Sequence, residues 1–149
     1  MNHFNQKVFG FTLIETMVVV AIGAILVVAA TASYQNSIVK SRRNIGSIAI
    51  LDALKRQEEH FINSKAYATN LTNLGYSANP FFVDQDGNET TSSESVYRIQ
   101  LASGASSTAF TLEAVPQNAQ SNDAKCATLQ LSSIGSRNVT GTSSSSYCW

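Results

Sequence analysis

The sequence predicts an α+β protein in which one long N-terminal helix packs on a small antiparallel β-sheet. Three observations lead there. Residues 11–63 contain no proline and only two glycines, Gly23 and Gly46, so nothing in them stops a helix. Residues 96–140 instead hold short runs of alternating apolar and polar residues, separated by Gly- and Ser-containing joints. The charge also divides. Residues 33–75 carry six basic and three acidic side chains, and residues 76–149 carry three basic and six acidic ones. One helix against one antiparallel sheet is the simplest architecture that buries both apolar faces.

The helix comes first in the chain. Between residues 11 and 39 the only side chain charged at neutral pH is Glu15, and residues 17–30 (MVVVAIGAILVVAA) are an unbroken apolar run. Residues 11–32 would extend about 33 Å as a helix, enough to span a bilayer core. This segment accounts for much of the low charged fraction, 13% against a typical value of about 25%. A secretory signal cleaved after Ala30-Thr31-Ala32 and a plain membrane anchor both fit the apolar run. Neither explains Glu15, because a carboxylate within such a segment is costly and is functional by default.

Beyond the apolar run the helix becomes amphipathic. Ile50, Leu51, Leu54, Phe61 and Ile62 fall on one face, expected to cover the sheet. Ile38, Ile45 and Ala49 form a second stripe, available to neighbouring subunits or as the margin of one broad core face. Lys40, Arg42 and Arg43 make a basic cluster which, by the positive-inside rule, points towards the cytoplasm.

The sheet half supplies strands over 96–102, with Tyr97, Ile99 and Leu101 on one face, and over 108–115, with Phe110, Leu112 and Ala114 on one face. Residues 103–107 join them as a hairpin loop. A third strand covers 127–131, and Gly135 turns the chain into a fourth over 136–140. Residues 84–89 (DQDGNE) resemble a calcium loop, but the glycine falls one place early and Ser95 stands where the bidentate Glu belongs. Asp86-Gly87 therefore reads as a tight turn, and no metal is expected.

Cys126 and Cys148 are the only thiols. Joined, they would close a loop of about 23 residues and stabilise the fold by about 3 kcal/mol. Left free, they would be two small buried side chains. The zero formal net charge and the acidic sheet half give no global basic excess of the kind nucleic-acid binders carry. Any DNA contact would fall to local residues such as Lys65, Lys125 and Arg137. There is no nucleophile–base constellation, no His-Glu-x-x-His and no phosphate-binding Gly loop. His60 stands alone beside Glu58 and Glu59. The chain is not expected to be an enzyme, and no cofactor is expected.

Gly10-Phe11-Thr12-Leu13-Ile14-Glu15, after a short leader containing Lys7 and directly before the apolar run, resembles the processing motif of type IV pilins and related pseudopilins. Further residues resemble the small minor pilins of Gram-negative type IV pili, a group that includes a competence pilin binding DNA. These are Lys40-Ser41-Arg42-Arg43, Leu51-Asp52-Ala53-Leu54, Arg56-Gln57-Glu58, Phe61, Tyr67-Ala68, Leu74-Gly75-Tyr76, Pro116, Ala119-Gln120, Asp123, Cys126, Thr128-Leu129 and the terminal Cys148-Trp149.

The resemblance implies the pilin fold, cleavage by prepilin peptidase between Gly10 and Phe11, and N-methylation of Phe11. Residues 1–10 are then a leader, and 11–39 the transmembrane and filament-core half of the helix. Residues 40–149 are the head: helix 40–63, connecting loop 64–95, and a sheet with a disulfide-closed loop over 96–149. It implies a bond between Cys126 and Cys148. It also implies that Glu15 sets register by meeting the amino group of a neighbouring Phe11, reinforced by the positive end of a helix.

The precursor is expected in the inner membrane, with a cytoplasmic N-terminus and a periplasmic head, against the positive-inside reading. After assembly by the pilus platform with other pilin subunits, the protein is expected outside the cell. The implied role is that of a minor pilus subunit supporting assembly, and hence twitching, adhesion or DNA uptake. The alternatives are a pilus-surface DNA receptor and a type II secretion pseudopilin.

Overall fold

A computed structural model of the chain describes Gly10 and residues 12–149, excepting the side chains of Val28, Ala29 and Ala32. The chain divides into two units, with the boundary between Ser37 and Ile38. One helix, α1 (Leu13–Ser64), contributes residues to both.

In the first unit α1 opens on a cap. The Glu15 backbone N–H donates to Thr12 Oγ1 at 3.3 Å, and the Thr16 N–H donates to the Thr12 carbonyl at 3.2 Å. Thr12 and Glu15 thus occupy the first and fourth places of a Thr-x-x-Glu capping sequence. The large apolar side chains described between Leu13 and Val27 are all exposed, by 51–78%. Among the described residues, no helix is long and apolar enough to cross a membrane.

The second unit, Ile38–Trp149, is a helix on a sheet. Six strands follow: β1 (Phe81–Val83), β2 (Glu89–Thr90), β3 (Tyr97–Leu101), β4 (Thr111–Pro116), β5 (Leu129–Ser132) and β6 (Arg137–Val139). They lie in the order β2-β1-β3-β4-β5-β6, and every neighbouring pair is antiparallel. Register brings Ile99 opposite Ala114 and Ala114 opposite Leu129, so the buried positions of three strands share one face. On the opposite face Glu113 accepts from Gln100 Nε2 and Gln130 Nε2, each at 2.8 Å, which satisfies both carboxylate oxygens across three strands.

The long connection expected over 64–95 contains structure of its own. A turn of 3-10 helix (Leu71–Leu74) is capped by Asn70, and β1 and β2 form an edge hairpin. The apolar run Phe81-Phe82-Val83 is too short to register as a period-2 pattern, and only its pairing with β3 makes it a strand. A four-residue helix, α2 (Ser145–Cys148), lies in the Ser-rich C-terminal stretch.

The buried seam of α1 also differs from the expected stripe. Arg43, Gly46, Ile50, Ala53 and Gln57 face the sheet, at helical spacings of three and four. Leu51 and Ile62 do not join it, and Ile62 is 66% exposed. The small residues explain the change. A Cβ on Gly46 would lie 3.0 Å from the ring of the fully buried Tyr97, so the helix approaches the sheet where it carries no bulk. Ile45 and Ala49, the second stripe, pack on the margin of the same core.

Polar groups complete the seam. Gln57 Nε2 donates to the Ala68 carbonyl and Gln57 Oε1 accepts from the Ala68 N–H, both at 2.8 Å. Arg43 donates from Nε and Nη2 to the two carboxylate oxygens of Asp123, each at 3.0 Å. This forked, charge-assisted geometry suits a buried pair.

Candidate functional site

Two features of the chain ask for partners, one in each unit. In the first unit the exposed apolar residues of α1 lie on all sides of the helix. Such a helix is stable only inside a lipid phase or a bundle of other helices. Glu15 sits one turn into it and is exposed, while Phe11 lies outside the described residues. Gly10 is exposed.

In the second unit the candidate is built around the C-terminus. Cys126 and Cys148 are joined by a disulfide with their Cα atoms 5.6 Å apart, and both are buried. The bond seats α2 beside the chain at 124–126. There the tail adds three backbone hydrogen bonds, from Gly141 to Cys126, Thr142 to Ala124 and Ser143 to Lys125. Cys148 carries an aromatic neighbour on each side, and each ring lies under cations. Lys125 Nζ is 5.9 Å and the Arg43 guanidinium 5.4 Å from the Tyr147 ring centre. The Arg137 guanidinium is 5.3 Å from that of Trp149, whose indole N–H donates to the Asn138 carbonyl at 3.1 Å.

Arg43 is committed to Asp123, but Lys125 and Arg137 are exposed and, among the described residues, have no carboxylate partner. The result is an exposed basic and aromatic face on an otherwise acidic sheet half.

Of the three cations singled out in the sequence, the structure brings Lys125 and Arg137 to this face and leaves Lys65 elsewhere. Lys65 follows the end of α1 and donates to the Ile62 carbonyl at 3.0 Å. The aromatic partners, Tyr147 and Trp149, were not singled out for this role. Their only sequence signal is that they flank a cysteine. His60 closes the end of α1, its Nδ1 lying 2.9 Å from the Ala66 carbonyl.

Residues 84–88 form the β1–β2 turn. The Asp84 carboxylate accepts the Asp86 and Asn88 N–H groups at 2.8 and 2.9 Å, and Gly87 takes a left-handed φ of 85°. The hydrogen bond from the Asn88 N–H is the main cause holding the Asp84 carboxyl below its ordinary pKa. Among the described residues no cluster of His, Cys, Asp or Glu could hold a metal.

A groove of about 480 Å³ runs between α1 and the β1–β2 hairpin, past Ile48, Asp52, Tyr76 and Phe81. Several of its polar groups are paired. Asp52 accepts from Arg56 Nε at 2.9 Å and from the Tyr76 hydroxyl at 2.7 Å, and Ser77 donates to Glu89.

The second unit is a helix-on-sheet head, and the first is a helical segment apolar on every side that follows a Gly-Phe-Thr-Leu-Ile-Glu sequence. A family profile described as type IV minor pilin ComP, DNA uptake sequence receptor, matches residues 32–130, about two thirds of the chain, and the chain belongs to that family. A profile described as the prokaryotic N-terminal methylation motif matches residues 5–31. No curated protein sequence matches the chain. Among solved structures, a type IV pilin from Shewanella oneidensis is similar over 74% of this chain and 97% of its own, with 22% identity and a TM-score of 0.46.

The protein is thus a minor structural subunit of a type IV pilus, related to competence pilins. Its N-terminal motif implies processing by prepilin peptidase and assembly with other pilins, and fits an inner-membrane precursor. The family is one of structural pilins.

Proposed function

We propose that this minor pilin acts at the pilus surface as a receptor for duplex DNA, through the face formed by Lys125, Arg137, Tyr147 and Trp149. The observation that carries the reading is the pair of exposed cations without carboxylates, each held against an aromatic ring. DNA affinity rests mainly on phosphate contacts, so a local pair of free cations serves even where the surrounding sheet half is acidic. The family's description as a DNA uptake sequence receptor supports the same reading.

Fluorescence anisotropy of the full-length protein in detergent with a labelled mixed-sequence duplex tests it. Binding at low salt should weaken as salt rises, with a log–log slope of about −1.8 for two phosphate contacts. No binding at low salt overturns the reading.

The remaining assignments concern export. Prepilin peptidase cuts between Gly10 and Phe11, and Phe11 is N-methylated. Before assembly, residues 11–39 cross the inner membrane once, with the leader in the cytoplasm and the head, residues 40–149, in the periplasm. The support is the 11–32 apolar run together with the methylation motif. In the filament, Glu15 pairs with the amino group of a neighbouring Phe11, because a carboxylate buried among apolar helices needs a positive partner. Mass spectrometry of purified pili should find the chain beginning at Phe11 with one added methyl group. A start at Ser33 defeats this assignment in favour of ordinary secretion.

A further inference from the structure

Among the described residues, hydrogen bonds hold residues 144–149 to the rest of the head only sparsely, although Cys148 is buried in the core and Trp149 packs at its margin. Residues 144–149 share one hydrogen bond with the rest of the head, from the Trp149 indole to the Asn138 carbonyl. Their backbone bonds are internal, from Tyr147 to Ser144 and from Trp149 to Ser145. The Ser144 side chain pairs with the Ser146 hydroxyl and caps no backbone N–H, and a helix of four residues has no stability of its own. Tyr147 is 57% exposed and gains little from burial. The one strong tether is the covalent bond from Cys148 to Cys126.

That bond lies at the centre of the basic face. Lys125 adjoins one cysteine, and Tyr147 and Trp149 adjoin the other. We propose that the Cys126–Cys148 disulfide is the positioning element of the DNA-binding face. Oxidised, it seats both rings beneath Lys125 and Arg137. As two thiols, it releases α2, and affinity for duplex DNA falls. The inference rests on the DNA reading above and adds a redox condition to it. Reduction by a dithiol breaks the S–S bond and delivers one electron and one proton to each sulfur. The reductant is left as its own cyclic disulfide. Of residues 144–149, only Cys148 belongs to the buried core cluster, with Trp149 at its margin, so most of the core lies outside the tail.

The test compares oxidised, dithiol-reduced and reoxidised full-length protein in detergent, binding a fluorescein-labelled mixed-sequence duplex. Near-ultraviolet circular dichroism of the tyrosines reports whether the core persists. The thiol form should keep its core, bind about tenfold more weakly at low salt, and show a log–log salt slope reduced in size by at least about 0.9, the equivalent of one phosphate contact. Reoxidation should restore both.

A second variant, Tyr147→Ala with Trp149→Ala, keeps the disulfide and removes the rings. It should bind as weakly as the thiol form, and it decides the question if reduction unfolds the core. Unchanged affinity in a folded thiol form overturns the inference, as does wild-type affinity in the ring variant. Failure of the oxidised wild type to bind overturns the DNA reading itself and this inference with it.

Discussion

Asp123→Ala should unfold the head more readily than any other single polar change, because it strands a cation in the core. Arg43 and Asp123 have side chains only 6% and 2% exposed and lie 2.9 Å apart at closest approach. They join α1 to the β4–β5 connection across 80 residues of sequence. With Asp123 gone, the guanidinium keeps only its contact with the Tyr147 ring, a weak substitute for a forked carboxylate.

Breaking a buried pair from one side costs about 3–5 kcal/mol. For a head of this size about 4 °C is lost per kcal/mol, so the melting midpoint should drop by roughly 12–20 °C. The assay is denaturant and thermal unfolding of the full-length protein in detergent, followed by tyrosine near-ultraviolet circular dichroism. The double variant Arg43→Met with Asp123→Leu removes both charges and should recover at least about 2 kcal/mol over Asp123→Ala. A loss below about 1 kcal/mol in the single variant would falsify the reasoning. So would a double variant as unstable as the single.

Three further outcomes follow from the same contacts. Gln57→Leu leaves the Ala68 N–H and carbonyl unpaired in the core and should cost roughly 2–4 kcal/mol by denaturant titration, where a neutral change would show that water replaces the amide. Gly141→Ala drives a Cβ into the Lys125 carbonyl, so the tail should lift. Faster amide exchange at Thr142 and Ser143 is the readout, and unchanged exchange would refute it. Burial pushes the Tyr97 phenol up to about 12, with the nearby Asp123 charge adding to the shift, and burial raises Tyr76 in the same direction. A phenol with a raised pKa favours the fold while protonated, so stability should hold below pH 10 and fall between about 10 and 12. Tyr97→Phe should shrink that fall, and an unchanged alkaline profile would count against it.

Much of the fold was legible because two periodicities survive in the sequence. Tyr97, Ile99, Leu112 and Leu131 alternate with polar neighbours and are buried on one sheet face, as that alternation requires. The long proline-free stretch became α1. The helix seam was less legible, since apolar patterning favours large residues. Leu51 and Ile62 were assigned to the core, whereas Gly46, Ala53, Gln57 and Arg43 occupy it. Small residues there let the backbone close on Tyr97, and the polar ones find partners distant in sequence. The β1–β2 hairpin was missed because a two-residue strand carries no period.

The sequence by itself determined the protein's class. The Gly-Phe-Thr-Leu-Ile-Glu junction, the charge-free run after it and the helix-then-sheet order are local in the chain, so they can be read without a structure. The candidate DNA face was decided only by tertiary structure. Lys125 and Arg137 were visible as isolated cations in an acidic half, and Tyr147 and Trp149 as two residues of a serine-rich tail. Their juxtaposition depends on a covalent closure and on the register of β6 beside β5, both of which join residues distant in sequence. Neither composition nor spacing encodes which cation comes to rest on which ring, because that is set by the path of the whole sheet.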